Sequence, residues 1–194
     1  MNELAKVWLS HDTVLCQRPF LSLAPTFEFF DPDGKALLFC KAKVFAIKDD
    51  IRMFSDASQQ TEVLRIKQRN ILEAAGVFDL FDSATDQKVG VLRRHLGGYF
   101  GGYTWSLLDA NDQPLGLIEE TGGKLWRRLF KLLPYSFAFR LGEQEVGTFT
   151  QHFSLFRYKA TLDLSAARGT PFDRRLAFAG ALLLMAVEAK QDQR

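Results

Sequence analysis

Cysteine is nearly absent from this chain, with two in 194 residues, Cys16 and Cys40. Two thiols cannot supply a disulfide framework, and they lack the spacing of a zinc site. The three histidines, His11, His95 and His152, are scattered, so no metal cluster is expected. Charge of one sign is also lacking. The formal net charge is +2, too mild to argue for a nucleic-acid partner, and none is expected. Long hydrophobic runs are missing too. The longest, Leu176 to Val187, is twelve residues between Arg174-Arg175 and Glu188. A transmembrane helix needs about 20 apolar residues, whereas a run of ~10–14 suits a buried core helix. The start, Met1-Asn2-Glu3-Leu4-Ala5-Lys6, has no basic stretch leading into an apolar one, and Asp12 and Arg18 interrupt the residues beyond it. The chain therefore reads as cytoplasmic.

Catalytic signatures are equally scarce. There is no Gly-x-Ser-x-Gly elbow and no His-Glu-x-x-His pair. Asp49-Asp50, Glu119-Glu120 and Asp31/Asp33 suit turns and strand ends. No spacing links Cys16 or Cys40 to His95 or His152 as a nucleophile and base. The chain reads as non-enzymatic and without a cofactor.

Phenylalanine is plentiful: 18 of the aromatic residues are Phe, against 3 Trp and 4 Tyr, and 47% of the chain is hydrophobic. A large core is available. Its organisation shows in a repeat. Phe29-Phe30-Asp31-Pro32-Asp33-Gly34-Lys35-Ala36-Leu37-Leu38 reads as strand, tight turn, strand. The pattern returns around Asp56, Asp82 and Asp109, at spacings of 25, 26 and 27 residues, with a degenerate copy over Phe139–Gly147. Five hairpins give ten strands, and the Lys6–Leu15 and Leu155–Leu164 segments supply two more.

About a dozen consecutive antiparallel strands tend to close, because closure removes exposed sheet edges. A barrel that wide cannot fill itself with its own side chains. The apolar C-terminal segment is the candidate filler, with Pro171 suited to its first turn and Asp173 to a cap or a first-turn acid. The expected fold is mainly β: a closed antiparallel barrel of about twelve strands around a central, buried hydrophobic helix. No composition break or linker divides the chain, so residues 1–194 read as a single domain. A second helical segment is expected over Gly123–Leu133, stopped by Pro134.

Three local features point towards surfaces. Lys124, Arg127, Arg128 and Lys131 interleave with Trp126, Phe130 and four leucines, the composition of an interfacial membrane helix or of an amphipathic helix closing one barrel end. Gly97-Gly98-Tyr99-Phe100-Gly101-Gly102 reads as a connection between strands, or as a tip placing Tyr99 and Phe100 in a membrane. Lys41 and Lys43, then Arg65, Lys67 and Arg69, then Arg93 and Arg94, come after successive turns at similar offsets. With the alternation of Arg65-Ile66-Lys67, they would form an outward basic stripe able to hold phosphorylated headgroups, or simply a solvated face.

Val91-Leu92-Arg93-Arg94, Thr104-Trp105-Ser106-Leu107-Leu108-Asp109 and Gly116-Leu117-Ile118-Glu119-Glu120, with the tail from Asp163-Leu164 to Leu184, resemble the LURF-one-related and phospholipid scramblase families. The resemblance implies the tubby C-terminal fold, a twelve-stranded barrel around a C-terminal helix. The cysteine-rich stretch of animal scramblases is absent. Three functions are consistent with this reading. The first is a cytoplasmic domain, peripheral on the inner face of the membrane, binding anionic phospholipid or phosphoinositide headgroups or a protein partner. The second is scramblase-like lipid translocation. The third is carriage of a small apolar ligand.

Overall fold

The computed structural model describes residues 7–19, 26–41, 51–69, 76–95, 104–121, 135–154 and 157–191, with side chains to residue 186. Each of the five repeats folds as a hairpin. In order the strands are β1 (Thr13–Pro19), β2 (Thr26–Phe30), β3 (Ala36–Lys41), β4 (Ile51–Phe54), β5 (Glu62–Gln68) and β6 (Val77–Asp82). They continue with β7 (Gln87–His95), β8 (Thr104–Leu108), β9 (Pro114–Glu120), β10 (Ser136–Leu141), β11 (Gln144–His152) and β12 (Arg157–Asp163). A short 3₁₀ turn at Ser165–Ala167 then leads to helix α1 (Arg174–Gln191).

The repeated aspartate forms the turn. Asp31 Oδ1 accepts the Lys35 amide, Asp56 Oδ1 that of Ser58, Asp82 Oδ1 those of Ala84 and Thr85, and Asp109 Oδ1 those of Asn111 and Gln113. An ionised carboxylate bonded to backbone N–H groups stands in for a missing ladder partner. In three of these turns the same aspartate's carbonyl accepts the amide three residues on: Gly34, Gln59 and Asp112. Those residues all have positive φ, as do Asp86 and Gly142 in the other two turns. Each hairpin also carries a bulge just after its turn, where Leu37, Val63, Val89, Leu115 and Val146 are the extra residues opposite Phe29/Phe30, Met53/Phe54, Leu80/Phe81, Leu107/Leu108 and Phe139/Arg140. Such bulges tighten local twist and help a sheet to curl.

Curling goes to completion. Every strand pairs antiparallel with its sequence neighbours, and β1 meets β12 from Thr13↔Asp163 to Pro19↔Arg157, so the twelve strands form a closed barrel. β1 starts at Thr13, later than the Lys6–Leu15 segment suggests, because residues 7–9 are helical and place Trp8 against α1.

Helix α1 fills the barrel. Residues 176–185 are all buried, and Phe178 meets Trp8 edge-on at 4.8 Å and Phe29 at 5.9 Å. The fit is close at two glycines. A Cβ on Gly180 would lie 2.9 Å from both Ile118 Cδ1 and the Phe139 ring, and one on Gly90 2.5 Å from the Leu108 carbonyl. Asp173 caps the helix by accepting the Arg175 amide at 3.0 Å, whereas Pro171 stands before the first turn rather than within it. Arg175 Nη1 also reaches the buried Asp82 at 2.7 Å, tying the helix start to a repeat turn. Arg174 donates to Asp12 at 2.6 Å and to the carbonyls of Leu9 and His11.

Candidate functional site

The barrel has two unlike ends. All five hairpin turns lie at the end where α1 enters, at residues 31–35, 55–61, 83–86, 109–113 and 142–143. Each is short and carries net negative charge. The connections β1–β2, β3–β4, β5–β6, β7–β8, β9–β10 and β11–β12 join strand ends on the opposite side. Lys124, Trp126, Arg127, Arg128, Phe130 and Lys131, expected as an interfacial helix, belong to the β9–β10 connection and lie outside the described residues. Tyr99 and Phe100, in the β7–β8 connection, and Lys43 also lie outside them.

Of the residues expected in an outward basic stripe, Arg65, Lys67 and Arg69 point outwards, and carboxylates meet Arg65 and Arg69 there. Leu64 and Ile66 face the core, which turns Arg65, Lys67 and Arg69 outwards. Strand β6 lies between β5 and β7 and supplies a carboxylate, Asp79. Arg69 grips Asp79 through Nε and Nη2 at 2.6–2.9 Å and also donates to Asp112 in the β8–β9 turn. Lys88 Nζ completes the group, 2.8 Å from Asp112 and 3.3 Å from Asp79. Hydrogen bonds from Arg69 and then Lys88 hold the Asp112 carboxyl down at about 2, and those carboxylates push the Arg69 guanidinium up. Two cations and two anions leave this group neutral.

Arg65 pairs with Asp86 and lies 5.6 Å from the Phe81 ring centroid. Lys67 Nζ lies 5.7 Å from the same centroid. Arg52–Glu62 at 3.3 Å and Arg140–Glu119 at 2.7 Å continue the pattern of exposed pairs.

Arg93 and Arg94 part company. Arg93 is exposed on the outer face and makes no ion pair with a described residue. Arg94 shares the inward face of β7 with Leu92, opposite the buried Trp105, because successive residues of a strand point to opposite faces. It therefore does not belong to the outer stripe. Other polar groups near that end face inwards: Arg18 is 1% exposed, with its guanidinium 4.8 Å from the Tyr158 ring centroid, and Glu120 is also buried. Sequence reasoning missed this inward set, although strand parity could have exposed it once the register was known.

The end bearing the longer connections also displays cations on described strands. Lys41 ends β3, and Arg157 and Lys159 alternate outwards on β12 around the buried Tyr158. At the same end stands Phe153, 66% exposed, the most exposed large hydrophobic residue described. No pattern in the sequence signals it, since the alternation of β11 stops one residue earlier.

An open cleft of about 530 Å³ at the other end is lined by Leu9, Ser10, Asp12, Arg168, Thr170 and Arg174, among others. Its guanidiniums are engaged: Asp12 accepts from Arg168 and Arg174, and these bonds hold its carboxyl below the usual range. The arrangement binds the N-terminal helical residues to α1.

The thiols are inert by position. Burial pushes Cys40 up to about 12 and Cys16 higher still, so both are protonated at neutral pH. His95 Nε2 lies 2.7 Å from Ser106 Oγ and His152 Nε2 2.7 Å from Thr161 Oγ1, both in exposed positions. The structure does not bring either histidine into a pair with the core thiols. Among the described residues no group of His, Cys, Asp and Glu is arranged to hold a metal ion, and no helix is long and apolar enough to cross a membrane.

No family model matches this chain, and no curated protein matches it. Among solved structures it is similar to the X-ray structure of a protein from Arabidopsis thaliana, at 15% identity and a TM-score of 0.50, covering 93% of each chain. At that identity the likeness establishes the fold alone.

Proposed function

We propose that the chain is a non-enzymatic module that binds anionic phospholipid headgroups at a membrane surface. One observation carries the reading: the net charge of the connections segregates along the barrel axis. Five net-negative turns crowd one end. At the other, exposed Lys41, Arg157 and Lys159 accompany a β9–β10 connection with four cations, Lys124, Arg127, Arg128 and Lys131, among Trp126, Phe130 and leucines. An anionic surface attracts the second end and repels the first, with each basic residue near the surface worth about 1 kcal/mol. The resemblance to LURF-one-related and scramblase proteins is compatible with this, as is a peripheral position on the inner face of a membrane.

Lipid translocation is the weaker reading because α1 would have to leave the barrel. Six large apolar side chains between Leu176 and Met185 are buried there. At about 1.5–3 kcal/mol each, their exposure costs on the order of 10 kcal/mol, comparable to the whole net stability of a domain. An apolar-ligand carrier competes with the same helix for the same interior. Phosphoinositides fall within the proposed headgroup class.

Co-sedimentation with phosphatidylcholine vesicles, with and without phosphatidylserine, tests the proposal at low and high salt. Binding that needs the anionic lipid, fades with salt and is lost in Arg127→Glu/Arg128→Glu is expected. Equal binding to neutral vesicles, or none at all, would refute it and turn attention to protein partners.

A further inference from the structure

The lipid-binding reading leaves open which described residues touch the bilayer, and the corner between β11 and β12 answers that. Strand β11 ends at His152, Phe153 and Ser154 come next, and β12 begins at Arg157. Pairing resumes at His152↔Lys159, so Phe153 stands just beyond the last paired rung of the barrel wall.

Described phenylalanines elsewhere are buried or partly covered: Phe27, Phe29, Phe137, Phe139, Phe149 and Phe178 are at most 2% exposed. Phe153 is 66% exposed. Scattered apolar residues on a surface are ordinary and need no explanation by themselves. Location separates this one. The other large exposed hydrophobics, Val7 and Leu115, lie on the side of the acidic turns, Leu115 close after the 109–113 turn.

Phe153 instead has two exposed cations at its corner. Arg157 and Lys159 face outwards on β12, and neither forms an ion pair with a described residue. This contrasts with the β5–β8 face, where Arg65, Arg69 and Lys88 are each matched by Asp86, Asp79 or Asp112. An exposed aromatic ring at the same corner as two cations that pair with no described carboxylate has the composition of an interfacial anchor: the ring enters the headgroup–acyl boundary and the cations meet lipid phosphates and carboxylates.

Resting on the lipid-binding reading above, we infer that the barrel docks end-on, with Phe153 inserted into the anionic membrane and Arg157 and Lys159 against its headgroups. The β5–β8 face, with its paired Arg65, Arg69 and Lys88, then points sideways, and the acidic turns point away from the bilayer.

A single accessible cysteine tests this directly. Cys16 and Cys40 are buried and free, so Phe153→Cys can be labelled selectively in the folded protein with an environment-sensitive fluorophore. Asn111→Cys, in an exposed turn at the acidic end, is the control. With vesicles containing phosphatidylserine, the label at 153 should shift to the blue and be quenched by lipids brominated along the acyl chain, while the label at 111 should do neither.

Phe153→Ser should leave the melting temperature unchanged and weaken vesicle binding roughly tenfold, the scale of withdrawing one aromatic side chain from an apolar phase. Protein that sediments with anionic vesicles while the 153 label still reports water overturns the end-on inference and leaves lipid binding intact. Protein that does not sediment overturns both. A blue shift without vesicles assigns the corner to a second copy of the chain and overturns the inference as well.

Discussion

Replacing Phe178 with alanine tests whether the C-terminal helix is the core of this barrel. Phe178 is fully buried, edge-on to Trp8 at 4.8 Å and tilted against Phe29 at 5.9 Å. Removing a buried aromatic ring costs about 3–5 kcal/mol, including the cavity left behind. The lost aromatic pairs, at about 0.5–1.5 kcal/mol each, belong within that figure. A closed barrel has little freedom to collapse onto the cavity, because its wall is fixed by twelve paired strands. The middle of the range, about 4 kcal/mol, is therefore the working value. For a chain of this size each kcal/mol moves the midpoint by about 2–4 °C, so Tm should fall by roughly 8–16 °C. Differential scanning calorimetry reads the change, and Trp8 fluorescence should shift towards the emission of wetter indole. Well below the transition, vesicle binding should match the parent protein, because position 178 lies inside the wall. A fall in Tm of less than about 2 °C would refute the packing argument, since it would mean that the ring is not held between Trp8 and Phe29.

Three other measurements probe the turns and the ion pairs. Gln59 holds φ +57 in a hairpin turn, and Gln59→Gly should raise stability by about 0.5–1 kcal/mol in urea titration, as glycine adopts this conformation without a Cβ clash. Asp112 titrates at about 2 when folded, against 3.8 for an ordinary aspartate, so its charged form stabilises the fold above about pH 4 and stops doing so as pH falls through 2. Asp112→Asn should thus be less stable than the parent at neutral pH and converge with it near pH 2, and parallel curves across that window would count against the Arg69–Asp112–Lys88 group. Asp82→Ala leaves Arg175 with Asp173 alone and deprives the amides of Ala84 and Thr85 of their acceptor; a loss of about 2–4 kcal/mol in chemical denaturation is expected.

The parts of this structure that could be read in advance are those fixed by short-range rules. A turn aspartate bonds to amides two to four residues away, so the spacing of Asp31, Asp56, Asp82 and Asp109 reveals hairpins without any knowledge of what they pack against. Twelve strands in such series leave closure as the natural end, and the apolar stretch at 176–185 is the filler the closed wall requires. What escaped reading depends on register. Arg69 meets Asp112 across 43 residues and Asp12 meets Arg174 across 162, contacts decided by the tilt and stagger of strands around a barrel. The basic stripe was therefore legible as a set of positions but not as a charge, because its matching carboxylates come from β6 and from turns belonging to other repeats. Adjacent arginines carry the same lesson on the smallest scale. Arg93 and Arg94 are one motif in the sequence and opposite faces in the fold, one in solvent and one beside Trp105. A surface function argued from clustered charge in a β protein thus has to survive two filters: the parity of each residue and the identity of its cross-strand neighbour. Arg157 and Lys159 pass both, which is why weight moves from the flank of the barrel to its end.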